Sequence, residues 1–141
     1  MTVVDSWPGR RLQWVAAGVV LATTLVALAL SPRLPVRVAI HLSATGTPGN
    51  EVPRALAVAL VPASLLGTWA LLSAAAQLDP PDDPRTIDAI TCSTLVLLSV
   101  VHLLLLARAL DHRAPMAVLF LAVAVWSSFV VGYTLSREGL D

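Results

Sequence analysis

Four long runs of apolar residues dominate the pattern of hydrophobic and polar positions along this chain. Polar residues are concentrated between the runs, which cover Leu12–Leu30, Ala55–Leu78, Ala89–Leu110 and Pro115–Leu135. Because an α-helix rises 1.5 Å per residue, about 20 apolar residues are enough to cross the hydrocarbon core of a bilayer. The pattern therefore predicts an all-α integral membrane protein, with four transmembrane helices forming a single domain over residues 1–141.

Composition supports a multi-pass membrane protein. Of the 141 residues, 57% are hydrophobic, whereas a surface helix of a soluble protein needs a polar face. Nine Arg balance nine acidic residues and Lys is absent, and a neutral chain without a basic run argues against nucleic-acid binding. Arg without Lys, together with abundant Ala, Val and Leu, is typical of a GC-rich prokaryotic genome.

The connections between the runs predict where the helices end. Ser31-Pro32 should stop the first helix, because proline cannot continue the hydrogen-bond ladder. The long loop from Ser31 to Arg54 is rich in Pro and Gly, and Val36–Leu42 alternates enough to suggest a short extended segment. Asp83 and Thr86 are both candidate caps for the third helix. The short connection at 111–114 predicts a tight turn, and hence an antiparallel pair of spans three and four.

Charge gives only a weak indication of orientation. With four spans, both termini lie on the same side, which carries four Arg against five on the side of the long loop. The Arg10-Arg11 pair directly before the first span favours cytoplasmic termini in the cell membrane. The long loop would then be extracytoplasmic.

The second span contains a stripe of small residues. Ala55, Ala59, Ala63 and Gly67 recur at a spacing of four, which places them on one face of a helix. Small residues at this spacing let two helix backbones approach closely in lipid. Two interpretations follow, namely packing inside this bundle or the interface of a homo-oligomer.

The third span contains a polar stripe, and the cost of polar groups in lipid predicts that it faces the bundle. Its members share one face of the helix and are Asp88, Thr91, Cys92, Ser99 and His102. One hypothesis is a proton or ion relay in which His102 titrates. The alternative is hydrogen bonding between helices that fixes their register, because the other spans offer no ionisable partner at that depth. His102 is also a candidate to meet Trp126 or Tyr133 of the fourth span.

The chain contains no recognisable enzyme motif. A serine nucleophile needs a base and an orienting group, and no carboxylate lies deep enough beside Ser99 and His102. A His-Glu-x-x-His motif, a metal-ligand spacing and a Gly-rich phosphate loop are all absent from the sequence. We therefore expect a protein that is not an enzyme and has no metal or other cofactor.

The long loop carries the most distinctive local sequence. Leu34-Pro35, His41, Gly46 and Pro48, followed by a helix that contains Pro62, resemble a membrane domain of unknown function, family 1648, found in SdpI-type immunity proteins. The resemblance covers about residues 12–76. Within it, Ala39 replaces a proline, Leu42 an aromatic residue and Ser43 an Asn or Asp. The resemblance implies, by analogy with the best-known members of the family, an immunity or signalling-like role.

His41 has two interpretations at this stage. It is either a surface contact for a protein or peptide partner, or a structural residue whose ring hydrogen-bonds the loop backbone beside a positive-φ turn at Gly46. The leading functional hypothesis is partner recognition by Leu34, Pro35, His41, Gly46 and Pro48. The main rival is a small transporter or channel subunit with a polar path along the third span.

Overall fold

A computed structural model describes residues 9–110 and 115–138, and the side chains of residues 11–110 and 115–137. Four helices and one two-stranded sheet make up this part of the chain. In order they are α1 (Gly9–Leu30), β1 (Arg37–Leu42), β2 (Pro48–Pro53), α2 (Arg54–Leu78), α3 (Pro84–Ala109) and α4 (Met116–Glu138). A short 3-10 turn, Ser31–Arg33, follows α1.

The four predicted transmembrane helices are confirmed. The helices contain 22, 25, 26 and 23 residues, and all four are long and apolar enough to cross a membrane. At 1.5 Å per residue they extend roughly 33–39 Å, which exceeds a hydrocarbon core of about 30 Å. Their ends therefore reach the headgroup regions, and the chain is a multi-pass membrane protein.

Most helix boundaries agree with the sequence prediction, but α3 begins earlier. It starts at Pro84, five residues before the apolar run, because the Asp83 carboxylate accepts the backbone N–H of Arg85 at 2.9 Å. Asp83 is thus the cap, whereas Thr86 is buried inside the helix. The α1 helix ends at Leu30, directly before Ser31-Pro32. The predicted tight turn at 111–114 lies outside the described residues.

The α3 helix is the centre of the bundle. It packs against α1, α2 and α4, while α4 contacts no helix except α3 within the described ranges. The core is formed where α1, α2 and α3 meet, and it includes Ala16, Ala27, Val61, Leu65 and Leu95. No described residue of α4 is buried. The architecture is therefore a three-helix core with a fourth helix on its side.

The long loop is a β-hairpin, and this adds a structural element to the predicted all-α fold. β1 is the predicted extended segment, and it pairs with β2 in an antiparallel register that sets His41 opposite Gly49. β2 was not predicted, because Pro, Gly and Asn are depleted in strands. Val38 of β1 and the preceding Leu34 are both buried in the core cluster. The hairpin is thus anchored on the bundle and caps one end of it.

The small-residue stripe on α2 lies on the outside of the bundle. Its four members, Ala55, Ala59, Ala63 and Gly67, are all exposed, and a Cβ at Gly67 would meet nothing within 4 Å. The face of α2 that packs inward carries Ala57, Val58, Val61 and Leu65 instead. Packing of the small stripe inside this bundle is therefore the wrong interpretation, and the homo-oligomer interface stays a prediction.

Candidate functional site

The hairpin is held against the bundle by Arg54, the first residue of α2. Its side-chain Nη1 donates to the carbonyl of Leu34 at 3.2 Å, and its backbone N–H donates to the carbonyl of Val36 at 2.9 Å. Arg54 therefore begins α2 and also fixes the segment between α1 and β1 through these two hydrogen bonds. This positioning role was not predicted from the sequence.

The turn of the hairpin rests on the ends of α3 and α4. Gly46 is buried and has a φ of +78°, which confirms the predicted positive-φ turn. A Cβ at this position would lie 3.2 Å from Cγ of Met116 and 3.6 Å from a guanidinium nitrogen of Arg108. Glycine is therefore required both by its backbone conformation and by the close approach of α3 and α4.

The imidazole of His41 is exposed at the rim of a groove. Its Cδ2 would lie 3.8 Å from a Cβ on Gly49, so the ring extends over the partner strand. The ring makes no hydrogen bond to any other described residue, which weighs against the interpretation of His41 as a structural residue bonded to the loop backbone. The groove has a volume of about 250 Å³ and is mainly apolar. We name it the His41 groove; it is lined by Ile40, His41, Leu42, Val101, Leu104, Leu105, Pro115, Met116 and Leu119.

A second cavity lies between the hairpin and the last turns of α3. We name it the arginine cavity, because Arg37 and Arg108 both line it, with Glu51 as its acidic residue. Its volume is about 150 Å³, and its other lining residues are Pro35, Val38, Ala39, Leu42, Pro48, Leu105 and Ala109. Arg37 Nε lies 3.7 Å from a carboxylate oxygen of Glu51, and Arg37 also donates to the Glu51 carbonyl at 2.9 Å.

The five predicted binding residues do not form one surface. Leu34 is buried in the core and Gly46 in the turn, so both shape the hairpin. His41 faces the His41 groove, while Pro35 and Pro48 line the arginine cavity. Of the five, His41 is therefore the one with an exposed polar side chain available to a partner.

The polar stripe of α3 faces the other helices, as predicted, and Ser99 joins it to α1. Ser99 donates its hydroxyl to the carbonyl of Leu95 at 2.8 Å, so its oxygen accepts the hydroxyl of Thr23 at 2.8 Å. Both side chains are buried. In the same helix pair, Cys92 Sγ lies 3.1 Å from the carbonyl of Leu12.

His102 joins α3 to α2. Its Nδ1 lies 2.6 Å from the carbonyl of Leu98, and its Nε2 lies 2.9 Å from Oγ of Ser64. Tyr133 is not a neighbour: Arg137 contacts Asp83 at 3.4 Å, which places Tyr133 near the start of α3. The Tyr133 ring stacks with Phe129 at 5.6 Å instead.

No hydrogen bond joins one member of the stripe to another. Asp88 is half-buried near the start of α3, and it lies about 21 Å from His102 along the helix axis. Thr91 is buried between them. Besides bonds to carbonyls of α3 itself, Ser99 and Cys92 contact α1 and His102 contacts α2, which favours the interpretation that the stripe fixes helix register.

No group of three or more His, Cys, Asp or Glu side chains among the described residues is arranged to hold a metal ion. Comparison of the chain with protein-family models, with curated proteins and with solved structures gives no significant match. The resemblance to family 1648 therefore stays a prediction based on the residues of the loop.

Proposed function

We propose that this protein is not an enzyme and acts by recognising a protein or peptide partner through the hairpin cap. The observation that carries the proposal is the placement of His41, an exposed imidazole at the rim of an apolar groove. Apolar clefts with a few directed polar groups are the usual form of a recognition site. The imidazole supplies one donor and one acceptor, and the groove supplies apolar contact area.

The anchoring of the hairpin supports a role in recognition. Buried Val38 and Leu34, the Arg54 hydrogen bonds and the close contact at Gly46 fix the cap in one position. A rigid surface loses little conformational entropy on binding, which favours affinity. The resemblance of the loop to SdpI-type immunity proteins adds an analogy with immunity or signalling.

The proposed location is the plasma membrane, with cytoplasmic termini and an extracytoplasmic hairpin. The Arg10-Arg11 pair before the first span supports this orientation. A cysteine introduced at the exposed Thr45 of the turn, in a Cys92→Ser background, would be labelled from outside intact cells by a membrane-impermeant maleimide. A cysteine that is labelled only after the cells are opened would reverse the orientation.

The rival proposal is a small transporter or channel subunit with a path along α3. Its support is the inward-facing polar stripe of Asp88, Ser99 and His102. The hydrogen bonds of Ser99 to Thr23 and of His102 to Ser64 weigh against it, because they tie these groups to neighbouring helices.

The test is co-purification of the tagged full chain from native membranes in a mild detergent, followed by mass spectrometry. We expect one partner at a near-stoichiometric ratio that is lost in His41→Ala and retained in two controls. Thr45→Ala changes an exposed residue of the same hairpin outside the groove, and His102→Ala removes the deep imidazole. Retention of the partner in His41→Ala would overturn the assigned contact, and loss in His102→Ala alone would favour the rival.

A further inference from the structure

The charged residues of the chain are separated between the two ends of the bundle. Among the described residues, the hairpin end carries four Arg (Arg33, Arg37, Arg54 and Arg108) against one acidic residue, Glu51, whereas the opposite end carries four Arg against five acidic residues. The formal charges of these two groups are therefore +3 and −1, although the whole chain is neutral. An anionic ligand is attracted to the hairpin end.

The arginine cavity concentrates this positive charge. Arg37 is paired with Glu51, but their side chains are 60% and 54% exposed, so the pair is weak in water. Arg108 has no carboxylate within 4 Å among the described residues. Each guanidinium carries five N–H donors, so the cavity contains more donors than Glu51 can accept from. A second anion in the cavity would accept hydrogen bonds from the donors that Glu51 leaves unsatisfied.

The depth of the cavity points to a component of the membrane. Arg108 lies in the last turn of α3, a helix of 26 residues that extends about 39 Å and so reaches past the hydrocarbon core. The neighbouring Leu105 and Ala109 give the cavity an apolar wall on the bundle side. Cationic groups beside apolar side chains at this level match the boundary between lipid phosphates and acyl chains.

We propose that the arginine cavity binds the phosphate of an anionic phospholipid in the leaflet at the hairpin end. Arg37 and Arg108 donate to the phosphate oxygens, and planar guanidinium groups suit such paired contacts. The volume of about 150 Å³ accommodates a phosphate and leaves the glycerol beside Leu105. The negative charge of Glu51 repels the phosphate, which keeps the affinity of the cavity for the lipid moderate. This site adjoins the His41 groove, with which it shares Leu42 and Leu105, but its charged residues Arg37, Glu51 and Arg108 do not line that groove. The proposal does not depend on partner recognition.

The experiment measures binding of fluorescent phosphatidylglycerol to the purified full chain in a non-ionic detergent, with fluorescent phosphatidylcholine as the neutral comparison. Arg108→Gln should weaken binding of phosphatidylglycerol about tenfold or more, because it removes charge-assisted hydrogen bonds. Arg33→Gln is the matched control: Arg33 is exposed at the same end but does not line the cavity. Binding by Arg33→Gln should change less than about twofold.

Two further variants keep the test decisive if Arg108→Gln does not fold. Arg37→Gln should also weaken binding, and Glu51→Gln should strengthen it, a gain that misfolding cannot produce. Equal losses in Arg33→Gln and Arg108→Gln would overturn the proposal in favour of general surface charge. Equal affinity for the two lipids would also overturn it. Displacement of the lipid by millimolar inorganic phosphate would assign the cavity to a soluble anion instead.

Discussion

The Nε2 atom of His102 lies 2.9 Å from the hydroxyl oxygen of Ser64, and this contact links α3 to α2 within the membrane. A carbonyl oxygen only accepts, so the Nδ1 atom that lies 2.6 Å from the Leu98 carbonyl must be protonated. In the neutral ring, Nε2 is then the acceptor, and Ser64 donates to it. The Ser64 hydroxyl also lies 2.7 Å from the carbonyl of Leu60 and 3.0 Å from that of Val61, so one hydrogen is shared among three acceptors.

This geometry predicts a modest energetic coupling between His102 and Ser64. A double-mutant cycle with His102→Ala and Ser64→Ala should give a coupling free energy of about 0.6 kcal/mol, and no more than roughly 1.7 kcal/mol, because the freed groups find other partners. The measurement is reversible unfolding in mixed detergent. Ser136→Ala is the control, since its exposed hydroxyl donates only to the Tyr133 carbonyl in its own helix. Additive effects of the two substitutions would show that the contact contributes nothing.

The four helices could be predicted from the sequence because a bilayer imposes both length and apolarity on each span. The partners of the polar stripe could not. Thr23 and Ser64 each bond to a carbonyl of their own helix, at Val19 and Leu60, so neither needs a partner elsewhere. A hydroxyl that is satisfied within its own helix leaves no signal in the sequence to show which neighbour it also contacts.

The sequence did not predict which face of α2 packs against the bundle, and the reason is a different one. Ala57, Val61 and Leu65 share the spacing of four with the small-residue stripe, but they lie on the opposite face of the helix. Both stripes are apolar, and lipid and core are equally apolar surroundings. Periodicity therefore cannot decide which stripe packs inward. The hairpin was only half predicted, because β2 contains Pro and Gly and is held by its pairing with β1.

Substitution of Gly46 should loosen the hairpin specifically. Gly46→Ala places a Cβ at a φ of +78° and 3.2 Å from Met116, so we expect a loss of about 1–2 kcal/mol in local stability. Hydrogen exchange of the β1 and β2 amides measures it. Gly67→Ala is the control, because it adds a methyl in open space within a helix and should stabilise slightly. Unchanged protection in Gly46→Ala would contradict the turn geometry.

Enlarging Ser99 should disrupt the contact of α3 with α1. Ser99→Leu adds a branched side chain at a position that is buried against Thr23, and overpacking of this kind costs about 1–3 kcal/mol. Ser99→Ala should cost less, since Thr23 keeps its bond to the Val19 carbonyl.

The matched control for this experiment is Ser93→Leu. Ser93 also lies on α3 but lines an open apolar groove of about 490 Å³ beside α4, so a larger side chain has room there. Thermal unfolding in detergent, followed by circular dichroism, compares the variants. Equal midpoints for Ser99→Leu and Ser93→Leu would show that the contact between α1 and α3 is not tightly packed.

The two opposite stripes of α2 allow monomer stability to be separated from association. Leu65 is fully buried, so Leu65→Ala should destabilise the monomer by about 2–5 kcal/mol. Ala63 is exposed, so Ala63→Leu should leave the stability of the monomer nearly unchanged. If the small stripe is a homo-oligomer interface, Ala63→Leu blocks the close approach of two helices and abolishes the oligomer.

Chemical cross-linking in native membranes, together with the mass of the protein in detergent, gives the oligomeric state of each variant. Ala76→Leu is the control for added bulk, because Ala76 lies on α2 beyond the stripe. An oligomer that is lost in Ala63→Leu and kept in Ala76→Leu would establish the stripe as the interface. A monomer in every variant, or an oligomer that survives Ala63→Leu, would mean that the stripe contacts only lipid. In that case, close packing against a second helix would not be the reason that these four side chains are small.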